Sequence, residues 1–264
     1  MHESSHALIQ VISYLGALFF FLFFELAHPY RPSTVSKLKR WVINLSILGI
    51  NTVILQLLFA GVTIQTARYV TSNQLGVLNM VVLPSGVKLL ITFIFMDFIL
   101  YVWHLLNHQV PLLWRFHLVH HTDLNMDVIT ANRFHVGELV ISALIKISLI
   151  YFLGADRLGV LIFESLTLLS TQFHHSSLKA PGWFEKIFWI LFVPPSMHRI
   201  HHSVVIKERN SNYGAILSVW DRIFGTLRND VDQDKIRIGV GAYPKQERLN
   251  LHHLLIMPFT RPVR

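Results

Sequence analysis

Apolar residues run in long unbroken stretches, and the polar positions collect in the gaps between them. The first stretch, Leu8 to Ala27 (LIQVISYLGALFFFLFFELA), is long enough to cross a bilayer at about 1.5 Å per residue. No Lys or Arg precedes it and no small-residue cleavage site follows, so it predicts a transmembrane helix and not a signal peptide. A second span is predicted over roughly Trp41 to Thr66, and a third from about Val87 to Trp103 and His104. Glu138 to Leu153 and Leu158 to Phe173 are shorter apolar helices joined by Gly154-Ala155-Asp156-Arg157, a hairpin that crosses or dips into the bilayer and returns. Pro181 to Pro195 (PGWFEKIFWILFVPP) is too short to span, and Trp183 and Trp189 anchor it as an interfacial helix. Residues 196–264 are polar and basic and form a cap. The pattern predicts an all-α, multi-pass integral membrane fold of four to five transmembrane or membrane-dipping helices under a histidine-rich helical cap.

Charge orients these spans. The loop from His28 to Arg40 carries Arg31, Lys37, Lys39 and Arg40, so it is expected on the cytoplasmic side, with the amino terminus opposite. Parity then returns the third span to the cytoplasmic face at His104 and makes the hairpin begin and end there. The histidine cluster and the carboxyl terminus are thus expected to be cytoplasmic, in a bacterial inner membrane or the endoplasmic reticulum. Composition agrees: 52% of residues are hydrophobic and 14% charged, where a soluble domain carries about a quarter charged. The net charge of +8 suits loops held against anionic lipid and argues against nucleic acid as a partner. The chain has no cysteine, which excludes disulfides, thiolate metal sites, iron–sulfur clusters and cysteine nucleophiles. Any metal must be held by nitrogen or oxygen.

Eleven of the sixteen histidines fall between His104 and His202. His104 and His108 stand one helical turn apart on one face. His117, His120 and His121 add three- and four-residue spacings, and the pattern recurs at His198, His201 and His202. Adjacent histidines cannot point the same way, which suits two ions better than one. With one of His174 or His175, the set comes to nine imidazoles, about two metals' worth. A lone histidine at a membrane edge is usually a hydrogen-bonded structural residue. Nine crowded neutral imidazoles gain nothing structural that cheaper residues would not give. His135 and the remaining member of the 174/175 pair are candidates for supporting or structural roles, and His2, His6, His28, His252 and His253 lie outside the cluster. Glu3-x-x-His6 and Glu25-x-x-His28 imitate the paired motif of bundle di-iron proteins, but they flank the first span and stand roughly 30 Å apart. No His-Glu-x-x-His is present, which argues against a zinc protease.

The motifs DFILYVWHLLNH (97–108), LWRFHLVHHTDLN (113–125), NRFHVGE (132–138), FHHSS (173–177), SMHRIHH (196–202) and NYGAILSVWDRIFGTL (212–227) resemble, in order, the fatty acid hydroxylase and sterol desaturase superfamily. Its members are integral membrane, non-haem di-iron oxygenases that use O2 and reducing equivalents to hydroxylate, desaturate or cleave lipids. The resemblance implies two iron ions, replaceable by zinc in purified protein, and nine ligands: His104, His108, His117, His120, His121, His175, His198, His201 and His202. His175, not His174, matches the family position followed by Ser or Thr. His135 sits in the family's Arg-x-His-x-x-Glu segment, with Val136 in place of the usual proline. Asn212, Trp220 and Asp221 match supporting positions, Asp221 as one that orients a ligand histidine. The implied organisation is residues 1–89 as N-terminal spans, 90–245 as the di-metal domain, working as one unit with those spans, and 246–264 as a C-terminal tail.

Asp97 lies seven residues before His104, and Glu164 eleven before His175, each on its ligand's helix face. Intramembrane carboxylates are functional candidates, with a water-linked structural role as the alternative, and Lys146 can snorkel or meet one of them. No dinucleotide fingerprint, haem domain or cysteine is present, so a separate reductase, ferredoxin or cytochrome is expected to supply electrons by docking on the basic cap. The expected substrate is a sterol, a fatty acyl chain or an ether lipid entering from the bilayer. The alternatives are a membrane metal-binding or transport protein and a catalytically inactive scaffold. Transporters place ligands near mid-bilayer, whereas these histidines are expected on one face, and none of the nine ligand positions is substituted.

Overall fold

The computed structural model describes the backbone of residues 2–260 and the side chains of residues 8–260. The side chains of His2, Glu3 and His6 lie outside the described residues. Helix α1 (His2–Ala27) is followed by α2 (Lys37–Phe59), α3 (Val62–Ser72), α4 (Ser85–Gln109) and α5 (Pro111–His121). The hairpin α6 (Val136–Leu153) and α7 (Arg157–His175) comes next. Short helices complete the chain: α8 (Gly182–Phe188), α9 (Pro195–His201), α10 (Ile206–Arg209), α11 (Val219–Ile223) and α12 (Leu251–Ile256). Among the described residues no strand forms, only isolated bridges such as Pro29 with Leu178. Four stretches among the described residues are long and apolar enough to cross a membrane: Leu8–Ala27, Lys37–Asn79, Ser85–Gln109 and Val136–Leu153. Their outer faces stay apolar, with Phe23 66% and Leu57 80% exposed, as lipid-facing surfaces require.

The second stretch is not the single helix that its hydropathy predicts over Trp41 to Thr66. Helix α2 stops at Phe59, and Gly61, at φ +71°, restarts the chain as α3. A left-handed backbone is costly for any residue with a side chain, so glycine permits the break. Within an apolar run, that glycine leaves the hydropathy unchanged. The hairpin closes as predicted: Gly154 caps α6 at φ +72°, and the Asp156 carboxylate accepts from the Gly159 N–H at 2.7 Å to start α7. A Cβ on Gly154 would fall 2.3 Å from the Leu75 carbonyl oxygen, so the turn can meet the segment before α4 only as glycine. Here Ala67, Val70, Met96, Ile150, Val160 and Phe163 knit α3, α4, α6 and α7 into one core. Helix α7 packs against both α1 and α4.

At the opposite end the joins are polar. The buried Arg40, at the start of α2, pairs with Asp123 and with Asp127 (2.7 Å), and Asn44 donates to Asp123 at 3.0 Å. Arg133 donates to the Val119 carbonyl (2.9 Å) and to Asn44 (2.8 Å). Glu25, at the end of α1, accepts from the Val128 and Ser177 N–H groups at 3.0 and 3.1 Å. Buried charge is tolerated when it is paired in this way. The ends of α1, α4 and α7 and the starts of α2 and α6 therefore gather at one end of the bundle, where the clustered histidines lie.

In α8, Trp183 is 68% exposed, as an interfacial anchor would be, whereas Trp189 turns inward and donates to Ser196 at 2.8 Å. Residues 246–260 form a packed element: Leu254 and Met257 are buried against Trp114 and Leu118 of α5.

Candidate metal centre

Four helices bring the histidines together. Helix α4 supplies His104 and His108 from its last turns, then Val110 is extended and Pro111 starts α5. Helix α5 carries His117, His120 and His121, α7 ends on His175, and α9 carries His198 and His201 with His202 at its cap. The rings sort into two groups whose ligand atoms lie within 4.8 Å of one another: His104, His108, His117, His121 and His201, and separately His120, His175, His198 and His202. Adjacent His120 and His121 go to different groups, as do His201 and His202.

Each group turns Nε2 atoms inward. His121 and His117 approach at 3.2 Å, His120 and His175 at 3.0 Å, His175 and His198 at 3.0 Å, and His198 and His202 at 3.1 Å, always Nε2 to Nε2. Several Nδ1 atoms are anchored outward. His104 Nδ1 donates to the Tyr213 carbonyl (2.8 Å), His175 to that of Thr171 (2.7 Å) and His201 to that of Ser211 (2.8 Å). His117 Nδ1 faces Glu138 Oε1 at 2.9 Å, and His108 Nδ1 faces the Asn210 side chain at 3.3 Å.

Hydrogen bonding alone does not satisfy this packing. With its proton on Thr171, a neutral His175 has a bare Nε2, so His120 and His198 must both donate to it. The one Nε2 proton of His198 would then have to serve His175 and His202 at once, while the buried Nδ1 atoms of His120, His198 and His202 have no partner. A cation bound by the Nε2 atoms removes the conflict. Imidazole nitrogens about 2.1 Å from one ion and at right angles stand about 3.0 Å apart, the spacing seen here. Burial, reinforced by neighbouring imidazoles, pushes His120, His121, His198, His201 and His202 well below the ordinary histidine range. They are neutral, as metal ligands must be.

The other singled-out residues stand outside both groups. The His174 ring lies 4.0 Å from that of His198, and its own hydrogen bond goes to the Ala215 backbone. His135 caps α6, accepting from the Gly137 N–H at 3.0 Å while its Nε2 donates to the Leu255 carbonyl at 3.1 Å, so both ring nitrogens are engaged. Asp97 accepts from Trp220 Nε1 at 2.8 Å and the Leu217 N–H at 3.3 Å. Asn212, with φ +57°, ties Met197 to Arg228 through its amide. Asp221 accepts from the Tyr213 and Gly214 N–H groups, both at 2.8 Å, and so orients His104 through the Tyr213 backbone, not directly.

Glu138 was legible only as a motif residue; its contact with His117 depends on the start of α6 folding back on α5, which spacing does not reveal. The Arg40 network was equally hidden, because Arg40 reads as one more loop charge. Its signal is the Asp123 and Asp127 pair just beyond His121.

A cavity of about 880 Å³ opens between α1, α2, α4, α6 and α7. It is walled by residues such as Tyr14, Leu48, Met96 and Phe163, and it reaches Trp103 and Leu139, the chain neighbours of His104 and Glu138.

Comparison with known proteins places this geometry. The fatty acid hydroxylase family model matches residues 89–226. An ornithine lipid hydroxylase of Rhizobium tropici is 33% identical over 162 residues, 60% of this chain and 46% of that protein. The cholesterol 25-hydroxylase of Homo sapiens is 29% identical over 142 residues (50% and 48%), and the alkylglycerol monooxygenase of Homo sapiens 27% identical over 166 residues (61% and 36%). The chain spans less than half the length of each of these relatives. No solved structure matches it.

Proposed function

Because the chain belongs to the fatty acid hydroxylase family, we propose that it is a membrane oxygenase that holds two iron ions on nine histidines and hydroxylates a lipid. The observation that carries this reading is the convergence of those imidazoles into two groups with Nε2 inward. His104, His108, His117, His121 and His201 would hold one ion, and His120, His175, His198 and His202 the other. When bound, the metal pair supplies O2 activation and C–H cleavage. The balance is RH, O2, two electrons and two protons giving ROH and water. We assign the electron supply to a separate donor, which the basic cap suits.

The protein's own contribution is placement. Backbone carbonyls at Tyr213, Thr171 and Ser211 hold protons on Nδ1 and so keep Nε2 free, and the Glu138 carboxylate makes His117 a stronger donor to metal. Burial excludes bulk water: His121, His201 and His202 expose nothing. The intramembrane cavity takes an apolar chain and ends beside Trp103. The relatives named above act on an ornithine lipid, cholesterol and alkylglycerols, which favours a lipid substrate and hydroxylation over desaturation. We assign the histidine end to the cytoplasmic side from the basic residues of its loop.

The test is incubation of iron-loaded protein in membranes with a reductase and isotopically labelled O2. Labelled lipid is expected from the wild type and none from His120→Ala. An unlabelled lipid pool from metal-loaded, donor-supplied wild type would contradict the proposal.

A further inference from the structure

The wall of the intramembrane cavity is mostly apolar, but a charged pair interrupts it. Lys146 of α6 pairs with Glu164 of α7, whose other carboxylate oxygen accepts from Gln10 of α1. All three residues line the cavity, and neither charge is sealed away: the Lys146 side chain is 32% exposed and that of Glu164 17%. Withdrawing two charges from water is expensive, and apolar residues would join α6 to α7 at lower cost. Ionisable groups that open onto a cavity between membrane helices therefore point to a ligand.

Hydrogen-bonding capacity identifies its chemistry. Each oxygen of Glu164 already accepts one hydrogen bond from within the trio, whereas Lys146 uses only one of its three N–H groups there. Gln10 gives one N–H to Glu164 and keeps its amide oxygen as an acceptor. The trio is neutral overall. A carboxylate would compete with Glu164 for Lys146, and an ammonium would be repelled by Lys146. A hydroxyl both accepts and donates, so it can take an N–H of Lys146 and give its proton to the Gln10 amide oxygen. We propose that Lys146, Glu164 and Gln10 hold the hydroxyl of a neutral lipid alcohol inside the cavity and thereby set which of its carbons reaches the histidines.

The position gives that choice a direction. Glu164 precedes His175 by eleven residues of one helix, roughly 16 Å, or about half of a ~30 Å hydrocarbon core. An alcohol held there points its apolar body toward Trp103 and Leu139, so the carbon beside the histidines is remote from its own hydroxyl. This assignment of the reacting carbon rests on the oxygenase reading; the hydroxyl site itself does not need it.

The experiment is competition of hexadecanol, its methyl ether and hexadecane against a photoreactive fatty alcohol on the 264-residue chain in nanodiscs, read as cross-linking and not as turnover. Wild type should prefer the alcohol about tenfold over the alkane, with the ether between them. Lys146→Met/Glu164→Gln, which removes both charges together, should bring alcohol and alkane within about twofold. Gln10→Leu leaves the ion pair intact and should erase the alcohol-over-ether difference alone. Equal binding of the three probes by wild type, or unchanged preferences in both variants, would overturn the proposal. Metal content of the same samples separates the two claims: metal-free, well-folded wild type that still prefers the alcohol would sink the oxygenase reading and leave the hydroxyl site standing.

Discussion

The two histidine groups are built in different ways. In the five-membered group, four rings are oriented from outside: His104 and His201 by backbone carbonyls, His117 by Glu138 and His108 by Asn210. In the four-membered group only His175 has such an anchor. His120, His198 and His202 have buried Nδ1 atoms without a partner, and their rings are held by contact, His120 stacked at 4.2 Å on Phe134 and His198 tilted against His174 at 4.0 Å. The first group is preorganised by the fold, while the second depends more on whatever its Nε2 atoms share. Outer hydrogen bonds to ligand histidines are worth roughly 10–100-fold in metal affinity, so the two sites should differ by about that factor.

The largest effect expected is on turnover. His198→Ala in one group and His201→Ala in the other should each abolish lipid oxidation in an assay with iron, O2 and a reductant, as the proposed two-ion centre requires. Retained activity in either would show that its group is dispensable. Next is the order of metal loss: under chelator titration the four-histidine group should empty first, at a chelator concentration roughly 10–100-fold lower than the other group requires. Simultaneous release would erase the distinction. Glu138→Gln should lower the affinity of the five-histidine group by up to about 100-fold and draw the two release steps together.

A smaller change is expected from Asp221→Asn. The carboxylate accepts two N–H bonds from the turn that presents Tyr213 to His104, so thermal unfolding should report a loss of about 1–3 kcal/mol and a modest loss of metal. A separate expectation concerns the pH dependence of the metal-free chain, to which the buried imidazoles contribute together. Buried histidines such as His121 and His202 have folded-state values well below 6.5, so acid protonates the unfolded chain first. Stability should be flat above about pH 7 and fall as pH drops toward 5, measured as a declining Tm. A rise over that range would mean that the cluster is charged when folded.

Much of this was legible in residue order. The lengths of the apolar runs called for four to five transmembrane or membrane-dipping helices, of which four are long and apolar enough to span, and histidine spacing pointed to eight of the rings in the two groups plus one of His174 or His175, a choice that only the family resemblance made. That His120 and His121 would part was foreseeable, because neighbours on a helix point about 100° apart. What hydropathy does not encode is backbone permission, such as the break that Gly61 allows inside an apolar run. Long-range polar partners were also out of reach. Glu25 reads as half of a false metal motif and is instead the acceptor that fixes the chain after His175, and Arg40 reads as a topological charge and is instead buried against Asp123 and Asp127. Those pairings join residues 80 or more positions apart, and only the packed bundle brings them into contact.

The most direct test of the central claim is elemental analysis of protein purified with iron supplied, for wild type, His198→Ala and His201→Ala. The account predicts about two irons per wild-type chain and about one in each variant, because the two substitutions strike different groups. Well-folded wild type with no stoichiometric metal would contradict it.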